Sequence, residues 1–325
     1  MKNLFKPRVK LTTLEQNKSN GKSAERYFAA NLTISLDARV FWATRTEDDS
    51  KVDLVTVISH PWVNNHVDVL FTQIKSGPSF AEPIRSTGEL RFVVKKEKFK
   101  HLLNRNHNTL ICWSHVEFDE PFWFIIKANA KYCRVNYTEI HKLTPLSRFD
   151  IIRVLTAFNN TNGGKGLTFK IKEETFLDKR KNAKALYKNL MSAKVENPLF
   201  GAIEFSRLGW RHITRTKRLN KYKINSFDLL SLINKILVRT PSIHICYSQQ
   251  YEVVEENRYR VCEYILTYND LQAIKEDSGA IKPVNVYIKL LEFSSYRIDW
   301  RAAPNFSSLV NRRVVFKSIY YKEKK

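Results

Sequence analysis

Two stretches of the sequence predict a hairpin of two largely buried strands: Lys51-Val-Asp-Leu-Val-Thr-Val57 and, after a bend, Val67-Asp-Val-Leu-Phe-Thr-Gln-Ile-Lys-Ser-Gly77. Three polar side chains, Asp53, Gln73 and Lys75, interrupt its apolar residues. Because side chains alternate along a strand, Gln73 and Lys75 point to the same face. Burying such groups costs free energy unless they meet one another, a metal or a phosphate. We therefore interpret the hairpin as part of a functional site.

The composition predicts a folded protein with an anionic partner. The chain has 325 residues, enough for two domains of ordinary size. Its 55 Lys and Arg outnumber 32 Asp and Glu, which gives a net charge of +23. Such an excess favours a polyanion, with nucleic acid the commonest partner and an acidic membrane surface the next.

The sequence shows no signal for export or membrane insertion. It has no run of 18 apolar residues, and the start Met-Lys-Asn-Leu-Phe-Lys-Pro lacks the apolar core of a signal peptide. The four cysteines are not closely paired, which predicts reduced thiols rather than disulfides or a zinc site. We therefore expect a cytoplasmic protein that does not associate with a membrane.

The pattern over the first half predicts an α/β domain at 21–150, preceded by a flexible basic arm at 1–20. Its first helix begins at Gly21 and puts Ala24, Tyr27 and Phe28 on one face, with Glu25 beside that face. The remaining predicted elements are a strand at 38–46, a turn at 47–50, the hairpin, a loop at 77–88, a strand at 90–94, a helix at 95–106, and strands at 109–116 and 122–127 joined by a turn at 117–121.

The second half predicts a connector at 151–197, with a loop at 159–164 and a basic helix at 178–195, and then a basic α+β domain at 198–325. This domain opens with a strand at 200–205 and has an amphipathic helix at 226–238, capped by Ser226. Strands at 243–246, 259–268, 285–293 and 313–321 are expected to form one antiparallel sheet.

The polar residues of the hairpin suit magnesium-dependent cleavage of a phosphodiester. Mg²⁺, or Mn²⁺ in its place, takes one or two protein carboxylates and completes its coordination with water and phosphate oxygens. Asp53 is the natural first ligand, and Gln73 and the backbone carbonyl of Ile74 offer further oxygens. Lys75 is placed to orient the attacking water and to stabilise developing charge. Glu25 could supply a second carboxylate.

The chain places Glu25 on a helix, Asp53 on a strand, and Gln73-Ile-Lys75 on a following strand. This is the order found in the PD-(D/E)xK, or restriction-endonuclease-like, nucleases. Over about residues 21–127 the chain resembles the QxK variant of that superfamily. The resemblance implies that Glu25, Asp53, Gln73 and Lys75 form the catalytic set of a nuclease domain. Two departures stand out, because Val52 precedes Asp53 where Pro or Gly is common, and Gln73 replaces an acid. The second leaves the site one negative charge short.

Two other interpretations keep the same residues. In one, Lys75 extends to solvent, Asp53 caps a turn and Gln73 satisfies a backbone group, with no ligand. In the other, a nuclease-like domain binds nucleic acid without cutting it.

A second candidate site lies in a basic segment of the C-terminal domain. Residues 207–223 carry seven basic residues and no acidic one, with aromatic rings interleaved, a composition that suits a cleft for a nucleic-acid backbone. Residues 203–212, with the strands after the helix, resemble a small barnase-like ribonuclease domain found in bacterial toxins, in which His212 with Arg211 or Arg215 would act without a metal. The alternative is a solvated basic loop. The predicted nucleic-acid-binding residues are Arg207, Arg211, His212, Arg215, Lys217, Arg218 and Lys221.

Together these observations predict a magnesium-dependent DNA endonuclease of the kind used in bacterial antiviral defence, restriction or mobile elements. The alternatives are a non-catalytic nucleic-acid-binding or assembly protein, and ribonuclease activity in the C-terminal domain. DNA is the expected partner, with RNA, a second copy of the chain, or an ATPase or helicase left open.

Overall fold

The computed structural model describes residues 13–44, 52–77, 81–83, 90–94, 106–114, 121–131, 133–136, 138–159, 166–302, 305 and 308–324. It divides into two compact units. The first comprises Val67–Ile151 and the chain up to Ser59, and the second comprises His60–His66 and Ile152–Lys325. Mixed α/β architecture is confirmed, with the longest strands in the second unit.

The first unit is built on one helix and a five-stranded sheet. Helix α1 (Thr13–Leu36) packs against strands β1 (Ala38–Trp42), β2 (Leu54–Ser59) and β3 (Val67–Ser76). Its contact face is apolar at intervals of four residues, through the buried side chains Ala24, Phe28, Leu32 and Leu36.

The start of α1 corrects the prediction of a flexible arm at 1–20. Residues 13–20 are helical, and residues 1–12 lie outside the described part of the chain. Gly21 lies inside the helix and does not begin it. Glycine costs only about 1 kcal/mol in a helix interior, and the good helix formers Leu14, Glu15 and Gln16 precede it.

The sheet of the first unit has mixed pairing. Its order is β1-β2-β3-β6-β7, where β6 is Thr109–Ser114 and β7 is Phe122–Ile126. Pairs β1–β2, β2–β3 and β6–β7 are antiparallel, whereas β3 and β6 are parallel. The predicted hairpin of β2 and β3 is confirmed.

The first unit also contains a small second sheet, whose strands fall between β3 and β6 and after β7 in the sequence. It joins β4 (Ala81–Pro83), β5 (Leu90–Val94) and β8 (Cys133–Asn136) in the order β4-β5-β8. Strand β4 falls within the stretch predicted as a loop. The predicted turns at 47–50 and 117–121 and the predicted helix at 95–106 lie outside the described residues, except for their last residues, Pro121 and Asn106. A short 3₁₀ helix, Glu139–His141, follows β8.

The second unit is organised around a long antiparallel sheet. Its strands β12 (Ile243–Val254), β13 (Asn257–Lys275), β14 (Ile281–Arg297) and β15 (Asn311–Glu323) pair in sequence order, which confirms the predicted sheet. Strand β9 (Leu167–Ile171) adds to β13 in parallel. Buried and less buried residues alternate along β14, so one face of the sheet forms the core.

Helices cover this sheet. Helix α2 (Ser147–Asn159) begins in the first unit and continues into the second. The remaining elements of the second unit are α3 (Phe176–Ser192), β10 (Val195–Asn197), β11 (Gly201–Ile203), α4 (Arg207–Thr214), α5 (Asn220–Leu230) and α6 (Ile233–Leu237). The prediction of a connector at 151–197 is wrong from Ile152 onward. Phe169, Ala183, Tyr187 and Leu190 are buried in the same core as the sheet.

The predicted helix at 226–238 is divided into two. Ser226 lies inside α5 and does not cap it: its hydroxyl donates to the backbone carbonyl of Ile319, and the Tyr222 carbonyl lies 3.2 Å from the same oxygen. The chain turns at Ser231 and Leu232 before α6 begins. The basic segment that the sequence predicts as a loop or cleft wall begins as helix α4.

Residues 60–66 belong to the second unit although they connect β2 and β3. The indole of Trp62 donates to the Pro198 carbonyl at 2.8 Å, and the Arg312 guanidinium lies 5.1 Å from the indole centroid. Gly201 adopts a φ of +66°, and a side chain there would collide with Trp62. Glycine is therefore required at position 201 both by the backbone conformation and by the ring.

A fully buried carboxylate, Glu292, lies among three arginines in the second unit. Its Oε1 accepts hydrogen bonds from Arg153 (2.8 Å) and Arg312 (2.6 Å), and Arg260 lies 3.6 Å from Oε2. Burial by itself would raise the pKa of Glu292, but the three guanidinium groups outweigh it and lower this pKa to about 2. The carboxylate therefore stays ionised inside the protein.

Among the described residues, no helix is both long enough and apolar enough to cross a membrane.

We expect Glu292→Gln to lower the free energy of unfolding by about 3–5 kcal/mol, because it removes the buried negative charge to which Arg153 and Arg312 donate hydrogen bonds. Since the folded-state pKa is depressed, the stabilisation by Glu292 is complete above pH 4.5, the ordinary pKa, and is lost as the pH falls toward 2. Urea unfolding between pH 7 and 3 measures both effects, with the exposed Glu252→Gln on β12 as control. Equal stability of the two variants at pH 7 would contradict this role.

Candidate functional site

The candidate site begins where β2 and β3 face each other at the end of the hairpin. Their register pairs Leu54 with Thr72, so Asp53, one residue before β2, lies opposite Gln73. Two backbone hydrogen bonds fix Asp53, from its N–H to the Thr72 carbonyl (2.9 Å) and from the Ala43 N–H to its own carbonyl (3.1 Å). The carboxylate is therefore held by ordered backbone on both sides.

The structure brings Asp53, Gln73 and Ile74 together. One carboxylate oxygen of Asp53, Oδ2, accepts hydrogen bonds from the side-chain amide nitrogen of Gln73 and from the Ile74 backbone N–H, the latter at 2.6 Å. Donation by both groups stabilises the ionised form of the carboxylate. Ile74 thus contributes its N–H here, and a metal-binding role for its carbonyl stays a prediction.

The other end of the Gln73 amide is the feature that bears on a metal. Gln73 is only 3% exposed, and its Oε1 is buried with no hydrogen-bond partner among the described residues. An unsatisfied buried carbonyl oxygen costs about 1–3 kcal/mol. Beside a carboxylate, such an oxygen is a suitable ligand for a hard cation. The donor set present therefore fits Mg²⁺ or Mn²⁺.

Lys75 lies in the next row of the same sheet face. The register of β3 with β6 places it beside Trp113, and that of β6 with β7 places Trp113 beside Phe122. Lys75 is half-buried, whereas Trp113 is fully buried. The ammonium group thus belongs to a face whose neighbouring positions are aromatic.

An aromatic wall completes this face, and the sequence did not identify it as part of the site. Phe92 on β5 packs against Trp113 and Phe124, with ring centroids 6.3 and 4.7 Å apart. Trp113 also packs on Phe122 at 5.6 Å and donates its indole N–H to the Gly77 carbonyl at 3.1 Å. Because these rings exclude water, the local dielectric constant is lower and electrostatic interactions near them are stronger. The aromatic residues of β6 and β7 were the signal available in the sequence.

The Asp53 carboxylate affects the pKa of a neighbouring thiol, Cys112. The register pairs it with Ile74, and its thiol is fully buried. Burial raises the thiol pKa strongly, and the nearby Asp53 carboxylate raises it further. Cys112 is therefore a protonated, unreactive thiol, in agreement with the predicted reduced state.

Glu25 lies on α1, next to the buried Ala24, and is half-buried. Its function as a second metal-binding carboxylate stays a prediction. No group of three or more His, Cys, Asp or Glu side chains in the described part of the chain is arranged to hold a metal ion.

The seven predicted basic residues of the second unit are not one cluster. His212, Arg215 and Arg218 line a cleft of about 420 Å³. The other four are exposed: Arg207, Arg211, Lys217 and Lys221. Helix α4 packs closely against Tyr187 and Phe316 at Gly209, which has no side chain. A Cβ at this position would collide with the Tyr187 hydroxyl and the Phe316 carbonyl oxygen.

His212 is flanked by positive charge. Burial lowers its pKa, and Lys317 and Arg215 lower it further, with a smaller opposing effect from Glu263. Burial and these neighbouring cations both favour the neutral imidazole, and a role of His212 in a ribonuclease reaction stays a prediction. The carboxylate near it, Glu263, was not found from the sequence because it lies on β13, far along the chain.

Comparisons with protein-family models, with curated proteins and with solved structures found no match to this chain. The similarity to the PD-(D/E)xK nucleases therefore stays a prediction from the residues of the first unit.

We expect Gln73→Glu to lower the melting temperature of the metal-free protein, because it places a second carboxylate against Asp53 in a buried site. Mg²⁺ or Mn²⁺ should then raise the melting temperature of this variant more than that of the wild type, since a second anionic ligand strengthens binding. Thermal unfolding with and without metal measures both changes. The control is Gln272→Glu, at an exposed position of β13. An unchanged response to metal would contradict the proposed ligand position.

Proposed function

We propose that the protein is a metal-dependent nuclease that hydrolyses DNA phosphodiester bonds at the Asp53–Gln73–Lys75 site. The observation that carries the proposal is the buried, unsatisfied Oε1 of Gln73 beside the Asp53 carboxylate. Lys75 follows on the same face of β3, two residues along. The order of these elements after a helix with Glu25 supports the same conclusion.

Each residue has a separate task in this proposal. Mg²⁺ or Mn²⁺ supplies charge neutralisation and an acidified water when bound. Asp53 and the Gln73 amide oxygen hold the cation, and the Ile74 N–H keeps the carboxylate in position. Lys75 orients the attacking water and stabilises the negative charge that develops on the phosphate oxygens. The rings of Trp113 and Phe92 keep bulk water from one side of the site.

The charge of the chain supports DNA as the substrate. A net charge of +23 raises the local concentration of a polyanion and speeds its association. For binding of this kind, the logarithm of the association constant falls linearly with the logarithm of the salt concentration. A role in bacterial defence, restriction or a mobile element is part of this proposal.

Replacing Lys75 by alanine is expected to reduce metal-dependent cleavage of plasmid DNA by about 10²–10³-fold, the usual effect of losing one group that stabilises transition-state charge. The measurement is the rate of plasmid nicking in Mg²⁺, in Mn²⁺ and in EDTA. Lys22→Ala, at an exposed position of α1, is the matched control and should retain the wild-type rate. Full activity of Lys75→Ala would overturn the proposal.

A second candidate, a domain that binds nucleic acid without cutting it, is favoured by one observation. Asp53 Oδ2 already accepts two hydrogen bonds, one of them from the group that replaces the common second acid. Under this alternative, wild type and Asp53→Asn bind DNA equally and neither cleaves it. Cleavage by the wild type that is lost in Asp53→Asn decides for the nuclease.

A further inference from the structure

A basic cleft in the second unit is separate from the candidate nuclease site. It lies where α4 and α5 meet strands β14 and β15, and its volume is about 420 Å³. That volume falls within the range of small-molecule pockets, which is about 300–1,000 Å³. We refer to it as the α4–β15 cleft; its lining residues are His212, Arg215, Arg218, Tyr222, Lys289, Lys317, Ser318, Tyr320, Tyr321 and Lys322.

The α4–β15 cleft concentrates positive charge. Its lining includes five permanent cations, two arginines and three lysines, and no carboxylate. Glu263 lies behind it and binds two of the lysines, Lys289 at 3.1 Å and Lys317 at 2.5 Å. Five positive charges against this one negative charge leave a balance of plus four. A single phosphodiester carries one negative charge, so a ligand with several charges matches this cleft better.

Three of the five cations, Arg218, Lys289 and Lys317, are held in place by hydrogen bonds. Arg218 donates to the Ile213 carbonyl (3.3 Å) and to the Ser226 hydroxyl (2.9 Å), and Ser226 is itself bound to the Ile319 carbonyl. Glu263 orients Lys289 and Lys317 from two strands at once. Groups fixed before a ligand arrives lose little conformational entropy on binding. This arrangement differs from a set of mobile surface lysines.

Tyrosine rings lie beside the cations. Tyr222 at the cleft is 45% exposed. Tyr320 stacks on Tyr287 with centroids 5.1 Å apart and planes at 16°, and the Lys322 ammonium lies 5.7 Å from the Tyr287 centroid. Exposed aromatic faces next to phosphate-binding cations are the usual means of holding a base and its phosphates together.

We propose that the α4–β15 cleft binds a nucleotide that carries two or more phosphate charges, with the phosphates on Arg215, Arg218 and Lys317 and the base against Tyr222. The nucleotide can be free, as a nucleoside triphosphate, or can be the 5′-phosphorylated end of a strand. Both sources present a charged phosphate group beside a base. The proposal does not depend on nuclease activity at Asp53.

The test measures equilibrium binding to the full chain in EDTA, so that no metal-dependent cleavage interferes. The probes are ATP, inorganic triphosphate, and a short single strand with either a 5′-phosphate or a 5′-hydroxyl. Binding of ATP, or of the 5′-phosphorylated strand more tightly than the 5′-hydroxyl strand, supports the proposal and identifies the source. Equal binding of the two strands with no binding of ATP overturns it, as does inorganic triphosphate that binds as tightly as ATP.

Variants assign the binding to the cleft. Arg215→Ala removes a lining cation and should weaken binding of the preferred probe about ten-fold or more, the effect of one charged hydrogen bond. Tyr222→Ala should weaken ATP binding but leave inorganic triphosphate unchanged. Arg180→Ala, at an exposed position of α3 that does not line the cleft, is the matched control and should bind as the wild type does. Equal losses in Arg180→Ala and Arg215→Ala would overturn the assignment.

Discussion

The hydrogen bonds that Asp53 accepts from Gln73 and from the Ile74 N–H are the interaction on which the candidate nuclease site depends. They require β2 and β3 to be antiparallel and in one register, because a shift by one residue would turn Gln73 to the other face. The same register sets Lys75 beside Trp113 through β6. The geometry of the candidate site is therefore a consequence of strand pairing rather than of loop conformation.

The sequence predicted the local features of this site but not its partners. Alternation along the strand placed Gln73 and Lys75 on one face, and the chain order supplied Asp53. It could not show that the Gln73 nitrogen turns to Asp53, since that depends on cross-strand register. The wall formed by Phe92 and Trp113 needs a contact between two sheets, which no local pattern encodes.

The same limit explains the errors elsewhere in the fold. The strands of the second unit were found because alternation is strong near their centres, and their ends were missed where polar residues extend the pairing. Helix α2 was missed because Asp150 and Arg153 fall among its apolar residues, although both are buried in the structure. Ser226 looked like a helix cap, yet its hydroxyl binds a carbonyl on β15, far along the chain. In each case tertiary contacts outweighed local propensity.

Glutamine at position 73 does more than omit a charge. An amide can donate to Asp53 through its nitrogen and still present an oxygen to a cation, whereas a carboxylate at the same place could only accept. With an acid there, the metal-free protein would hold two buried negative charges side by side, at a cost that only the cation relieves. With the amide, the metal-free site is already folded around Asp53, and Oε1 of Gln73 has no hydrogen-bond partner among the described residues. In the proposed metal site, the amide would thus exchange part of the metal affinity for a site that is formed before the metal binds.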